Sequence, residues 1–238
     1  MKRIIIAAIS IIAFSFNLAA QSARPVNSEL QKPAWSGEYS RWRIDINGGY
    51  GWRLGQYEES GIEGIDMHNS RLRSGFQYNG GVTYFITDYY GLGLSASNFH
   101  THSADQIFMT DDYNNVIPGL LEDKIDITYI AANLAMRSFS RNGRHSLYSE
   151  IGAGCLACNN AATVVVPVTA KGYTAGWNYG IGYDCFITPK VAIGVSAKCI
   201  LGTLHSVEYI GENNRTQHVD GEETLAHVTA SIGLRFNL

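Results

Sequence analysis

Charge is scarce in this chain: Asp, Glu, Lys and Arg make up 16% of its 238 residues, against about 25% in ordinary globular proteins. Proline is scarce too, with 5 residues, and no stretch rich in proline or serine divides the sequence, so there is room for one domain. Basic residues do not outnumber acidic ones, 18 against 21, so nothing here invites nucleic acid. No apolar run reaches the ~20 residues of a membrane-spanning helix. The run over 4–16 follows Lys2 and Arg3 and leads to Leu18-Ala19-Ala20, a small-residue cleavage point before Gln21. Residues 1–20 therefore read as a secretory signal peptide, with no nearby cysteine to accept a lipid. Its removal leaves 16 basic residues against 21 acidic, a mature net charge of −5.

What is present is alternation. Eight stretches of two-residue hydrophobic periodicity cover 41–53, 75–87, 90–102, 124–139, 146–157, 173–187, 191–204 and 224–238. Very short turns, at Asp88-Tyr89, 141–145 and Pro189-Lys190, alternate with long connections near 54–74, 103–123, 158–172 and 205–223. In the last stretch Ala226, Val228, Ala230, Ile232, Leu234, Phe236 and Leu238 share one face, and His227, Thr229, Ser231, Gly233, Arg235 and Asn237 the other. Successive side chains of a strand point to opposite sides, so one face is apolar and the other polar. This is the rhythm of an eight-stranded antiparallel transmembrane up-and-down β-barrel over 41–238, with short periplasmic turns and long extracellular loops. Residues 21–40, containing Pro25 and Pro33, then form a periplasmic N-terminal segment. A mean hydropathy of −0.07 is no objection, because barrel strands hide their apolar face by alternation.

The first stretch sorts in the same way: Trp42, Ile44, Ile46, Tyr50 and Trp52 outward, Arg41, Arg43, Asp45, Asn47 and Arg53 inward. At ~3.3 Å per residue and ~45° of tilt, Trp42 and Trp52 lie roughly 23 Å apart along the membrane normal, close to the ~25 Å between aromatic girdles. Tyr84, Trp177, Tyr183 and Phe236 extend those girdles. In the fourth stretch Asn133 and Arg137 break the period, which predicts a bulge. Residues 85–96 and 186–197 echo one another as strand, tight turn, strand, through duplication of a half-barrel or through shared turn chemistry.

Inward positions carry Arg43, Asp45, Glu150, Asp184, Lys198, His227 and Arg235. The lumen of an eight-stranded barrel is just wide enough for side chains to fill, so these groups must pair, with Asp45 between Arg43 and Arg235 as the expected cluster. Inward glycines such as Gly180 and Gly182 make room for them. The Cys155-x-x-Cys158 pair lacks the helix start of a redox site and the second ligand pair of a zinc site. His100 and His102 share a face without an evident third metal ligand, and His68 sits in the first long loop. The acidic pairs Glu58-Glu59, Asp111-Asp112 and Glu222-Glu223 lie in or beside the long connections. A barrel deacylase of lipid A carries His-x-Ser-Asn, a base and its nucleophile; here His102-Ser103 runs into Ala104.

With its signal peptide, eight alternating stretches, Phe-Ile-Thr turns and closing strand over 228–238, the chain resembles the small OmpA/OmpX-like outer-membrane β-barrel proteins, often grouped as porin-like. The resemblance implies a bacterial outer-membrane location, contact with outer-membrane lipid and lipopolysaccharide, and insertion by the barrel-assembly machinery. That machinery reads a closing strand that commonly ends in an aromatic residue, and here Phe236 stands two positions before Leu238. No cofactor, metal or catalytic residue is expected. The sequence reads as a non-enzymatic barrel whose surface loops, with aromatics such as Phe108 and Tyr113, bind an extracellular ligand, mediate adhesion or stabilise the envelope. A narrow channel for small solutes and a lipid-modifying enzyme are the alternatives.

Overall fold

The computed structural model describes residues 40–55, 61, 63–110, 116–164, 166–211 and 216–238. The signal peptide, nearly all of the 21–40 segment, Glu58-Glu59, Asp111-Asp112 and Tyr113 lie outside them. The strands are β1 (Trp42–Arg53), β2 (Ser74–Phe85), β3 (Tyr90–Thr110), β4 (Val116–Phe139), β5 (His145–Val164), β6 (Val166–Phe186), β7 (Val191–Leu201), β8 (Thr203–Ile210), β9 (Thr216–Thr224) and β10 (His227–Asn237). One helix, α1 (Glu63–Arg71), stands between β1 and β2. Eight of the strands close a ring, β1-β2-β3-β4-β5-β6-β7-β10, with β10 returning to β1 from Arg43↔Asn237 to Arg53↔His227. β8 and β9 prolong β7 and β10 outward, after breaks at Gly202 and at Leu225-Ala226. No helix of the described residues is long and apolar enough to cross a membrane; the strands cross it.

The pairing register sets the size of the ring. From Asp126 on β4 the partners run through His100, Phe76, Tyr50, Ala230, Ala197, Ile181 and Ser149, and return to β4 at Met136, ten residues along the strand. Eight strands staggered by ten residues tilt by about 40° and leave a backbone radius of ~8 Å. Large apolar side chains remain exposed around the circumference, among them Ile46, Leu94, Ile130, Leu134 and Ile232. A soluble sandwich would bury that face; a lipid-facing barrel presents it.

Both tight turns of the sequence echo are fastened alike. Thr87 Oγ1 accepts from the Tyr90 amide and Thr188 Oγ1 from the Val191 amide, each at 3.0 Å. Shared turn chemistry thus accounts for the echo locally. The β4–β5 turn bends at Gly143, whose φ of 67° favours glycine.

Three expectations need correction. The connections over 103–123, 158–172 and 205–223 are largely strand, because the β3–β4, β5–β6 and β8–β9 pairs continue well past the membrane. From His100 to Thr110, β3 alone rises ~25 Å at that tilt. β4 has no bulge: its register with β3 and β5 is unbroken, and Asn133 and Arg137 sit on the same buried face as Tyr129. Arg41 is exposed at the turn end, where it donates to the Ile86 carbonyl at 2.7 Å.

An apolar cluster occupies the outer half of the lumen, among buried polar groups such as Gln77, Asn178 and Thr229. Phe99, Ile127, Tyr129, Leu156, Ile200, Leu204 and Leu225 pack into one cluster, each 1% exposed or less, and Leu72 just after α1 joins it. Leu156 is fully enclosed. Leu156→Ala is expected to destabilise the barrel by about 3 kcal/mol through lost burial and an unfilled cavity, read as a lowered urea midpoint for unfolding from lipid vesicles.

Candidate functional site: a charged lumen beneath an outward crown

Below the apolar plug the lumen turns ionic. Asp184 on β6 is fully buried and accepts from Arg43 Nη1 of β1, from Arg235 Nε of β10 at 3.1 Å and from Ser146 Oγ at 3.3 Å. Asp184, not Asp45, is therefore the hub. Asp45 instead accepts from Asn47 Nδ2 at 2.9 Å. The Arg43 guanidinium lies 4.2 Å over the Tyr148 ring, and the Tyr148 hydroxyl donates to Glu150 at 3.0 Å. Glu150 also accepts from Lys198 Nζ at 2.5 Å. Arg43, Lys198 and Arg235 thus balance Asp45, Glu150 and Asp184, as low-dielectric burial requires of charges.

Glycines create the space. A Cβ on Gly194 would meet Asp184 Oδ1 at 2.2 Å, and one on Gly180 would meet Glu150 Cγ at 3.0 Å. The void beside the ionic groups is about 30 Å³. His227 is not part of this network: its Nδ1 donates to the Leu225 carbonyl at 2.8 Å, and its ring lies 5.3 Å from that of Phe99.

The lipid-facing wall carries Trp42, Tyr84 and Tyr183 toward the turn end and Trp52 and Trp177 toward the outer end, all exposed; Phe236 is half-exposed. Between them Ile181, Val195, Ala197, Ala230 and Ile232 help to line a shallow groove of about 720 Å³. No histidine, cysteine or carboxylate lines it. Cys155 and Cys158 point to opposite faces, one exposed and one buried.

Outside the membrane two histidines of β3 pair with carboxylates of β4. His100 Nδ1 lies 2.8 Å from Asp126, and His102 Nε2 3.1 Å from Glu122. Ser103, buried on the other face, donates to Asp105 at 3.0 Å, so it does not face His102. No group of three or more His, Cys, Asp or Glu among the described residues is arranged to hold a metal.

A contact with no signal in the sequence fastens α1. His68 is 1% exposed, with Nδ1 3.0 Å from Asp105 of β3 and Nε2 2.9 Å from Asp123 of β4. Arg71 Nη1 adds a 2.6 Å contact to Asp105. The helix is held down by this bridge and by Leu72.

Two outcomes follow from these contacts. Asp184→Ala leaves Arg43 and Arg235 buried without their carboxylate and is expected to cost about 3–5 kcal/mol, measured as the shift in urea unfolding. The hydrogen bond from His68, with those from Ser103 and the charge of Arg71, holds the Asp105 carboxyl below its ordinary 3.8. A depressed carboxylate contributes stability above its unfolded value and loses it as the pH falls through the folded one. Asp105 should titrate below pH 3.8 by carboxyl-carbon NMR, and His68→Ala should move the midpoint up.

Residues 10–236 match the outer membrane protein beta-barrel domain family. No curated protein is significantly similar in sequence. Among solved structures, a major outer membrane protein from Thermus thermophilus aligns with a TM-score of 0.52 at 9% identity, covering 82% of this chain and 98% of that one. Neisserial surface protein A gives 0.46 at 12%, covering 84% and 99%. Ail of Yersinia pestis, in complex with the heparin analogue sucrose octasulfate, gives 0.39 at 14%, covering 82% and 99%. At these identities the likeness concerns the fold. The family match and the closed ring with its lipid-facing wall agree: the chain belongs to the outer membrane protein beta-barrel domain family and resides in the bacterial outer membrane.

Proposed function

We propose that the protein is a non-enzymatic binding protein of the cell surface, in which the barrel is a sealed anchor and the outward hairpins are the working part. The filled lumen carries this reading. Ion pairs occupy its inner half and a packed apolar cluster its outer half, while β3, β4, β5, β6, β8 and β9 continue outward beyond the ring. Strand built out past the membrane serves neither anchoring nor transport through a closed lumen, but it does hold a surface away from the lipid. The groove in the wall offers lipid contact; its hydroxyls include Ser196 and Ser231, which bond to each other at 2.9 Å, and no histidine, cysteine or carboxylate lines it to serve them as a base.

Two measurements test the two halves of this reading. The folded protein in planar bilayers should show no steady channel steps; reproducible steps would put the solute channel first. Cells displaying a barrel with the β3–β4 and β8–β9 hairpins trimmed should lose adherence to immobilised matrix proteins and glycans that the full chain supports. Equal adherence, with the trimmed barrel shown to be folded by heat-modifiable gel migration, would overturn the binding role.

A further inference from the structure

The groove in the lipid-facing wall runs across the strands and not along them. Gly48, Ile232, Val195, Tyr183, Leu147 and Ser138 line it as successive register partners on β1, β10, β7, β6, β5 and β4. In the next row toward the outer end, Ala230, Ala197 and Ser149 are small, so the wall dips between bulkier neighbours. A Cβ on Gly48 would meet nothing within 4 Å. Successive strands lie ~4.8 Å apart, which makes the groove about 24 Å long from β1 to β4. With the strands tilted by about 40°, it descends about 15 Å toward the turn end, half of the ~30 Å hydrocarbon core. It starts on β1 between Trp42 and Trp52 and stops on β4 at Ser138, just before the β4–β5 turn with Arg141 and Arg144.

Charge selects the occupant. Arg141 and Arg144 are exposed, as are Arg41 and Lys190, and Asp88 is the one acidic side chain of the described turns. The outer end has the opposite sign, with Asp220, Glu222 and Glu223 exposed on β9. Between groove and turn, the Tyr183 hydroxyl lies 2.8 Å from His145 Nδ1 and the two rings stack at 5.7 Å, a polar rim on an apolar floor. Arginine binds phosphate through short, charge-assisted and often bidentate hydrogen bonds. We propose that the groove is a binding site for one anionic phospholipid of the inner leaflet, with an acyl chain along Ala230, Ala197 and Ser149 and its phosphate held by Arg141 and Arg144. The depth of one leaflet suits a chain that starts among the headgroups and stops near the bilayer middle. A soluble polyanion of the periplasm would meet the same arginines but leave the groove unfilled. The site lies at the opposite end of the barrel from the outward hairpins and is independent of their role.

The test uses the full chain folded in nanodiscs of equal parts phosphatidylglycerol and phosphatidylcholine, with native mass spectrometry counting the lipids retained on the released barrel. One phosphatidylglycerol should be retained at least fivefold over phosphatidylcholine. The double variant Arg141→Gln, Arg144→Gln should bring that ratio close to one. Ala197→Trp fills the groove from a lipid-facing position and should lower phosphatidylglycerol retention at least fivefold, whereas Leu94→Trp, on the wall outside the groove, should leave it unchanged. Heat-modifiable gel migration confirms that each variant has folded. Equal retention of the two lipids by the unaltered chain would overturn the site. Retention indifferent to Ala197→Trp would show attraction to the turns by charge alone and overturn it too, as would retention indifferent to the loss of both arginines or lowered equally by Leu94→Trp.

Discussion

Everything in this molecule answers to one geometric constraint: eight strands closed with a stagger of ten leave a lumen only as wide as the side chains that fill it. At a backbone radius of ~8 Å, each inward residue touches groups from across the ring. Charges placed there are cut off from bulk solvent and must meet their counterions with good geometry. The same narrowness lets Phe99 and Leu156 close the outer half by simple packing. The apolar cluster and the ionic core are both consequences of strand number and stagger.

The fold was legible because alternation is a local property. Facing could be assigned residue by residue, and Trp42, Trp52, Arg43 and Arg235 lie on the sides their parity requires. The strands proved longer than their pattern for a physical reason. Where they leave the lipid, outward positions become polar, as at His100, His102, Asp126 and Asn159, so the contrast between faces fades while inward Ile125 and Cys158 remain buried. Periodicity stops at the membrane surface, and hydrogen bonding does not. Asn133 and Arg137 looked like breaks in a period only because a polar residue in an otherwise apolar strand resembles a slip; both keep the inward face.

Parity says which side a residue takes but not at what height, and the ionic core was misjudged on that account. Asp45 and Arg235 are register partners on neighbouring strands, yet Arg235 reaches instead to Asp184, two strands away on the other side. Only the stagger brings Asp184 level with both arginines. Gly194 was the available signal, a missing side chain at the point where the carboxylate needs room. The His68 bridge left no comparable trace, because α1 is short and polar and its partners lie on strands that the pattern had already ended.

The position of Asp184 bears on how the barrel comes to be shut. Arg43 belongs to the first strand and Arg235 to the last, and these two strands meet only at the seam. Until the seam closes, the carboxylate on β6 faces a lumen in which one or both of its counterions are still absent. β10 is joined to β6 through β7, so Arg235 comes with its own run of strands, whereas Arg43 reaches the carboxylate from the far end of the sheet only when the first strand pairs with the last. The hub therefore ties both ends of the barrel to one carboxylate, and the second of its two guanidinium partners is in place only in a closed ring.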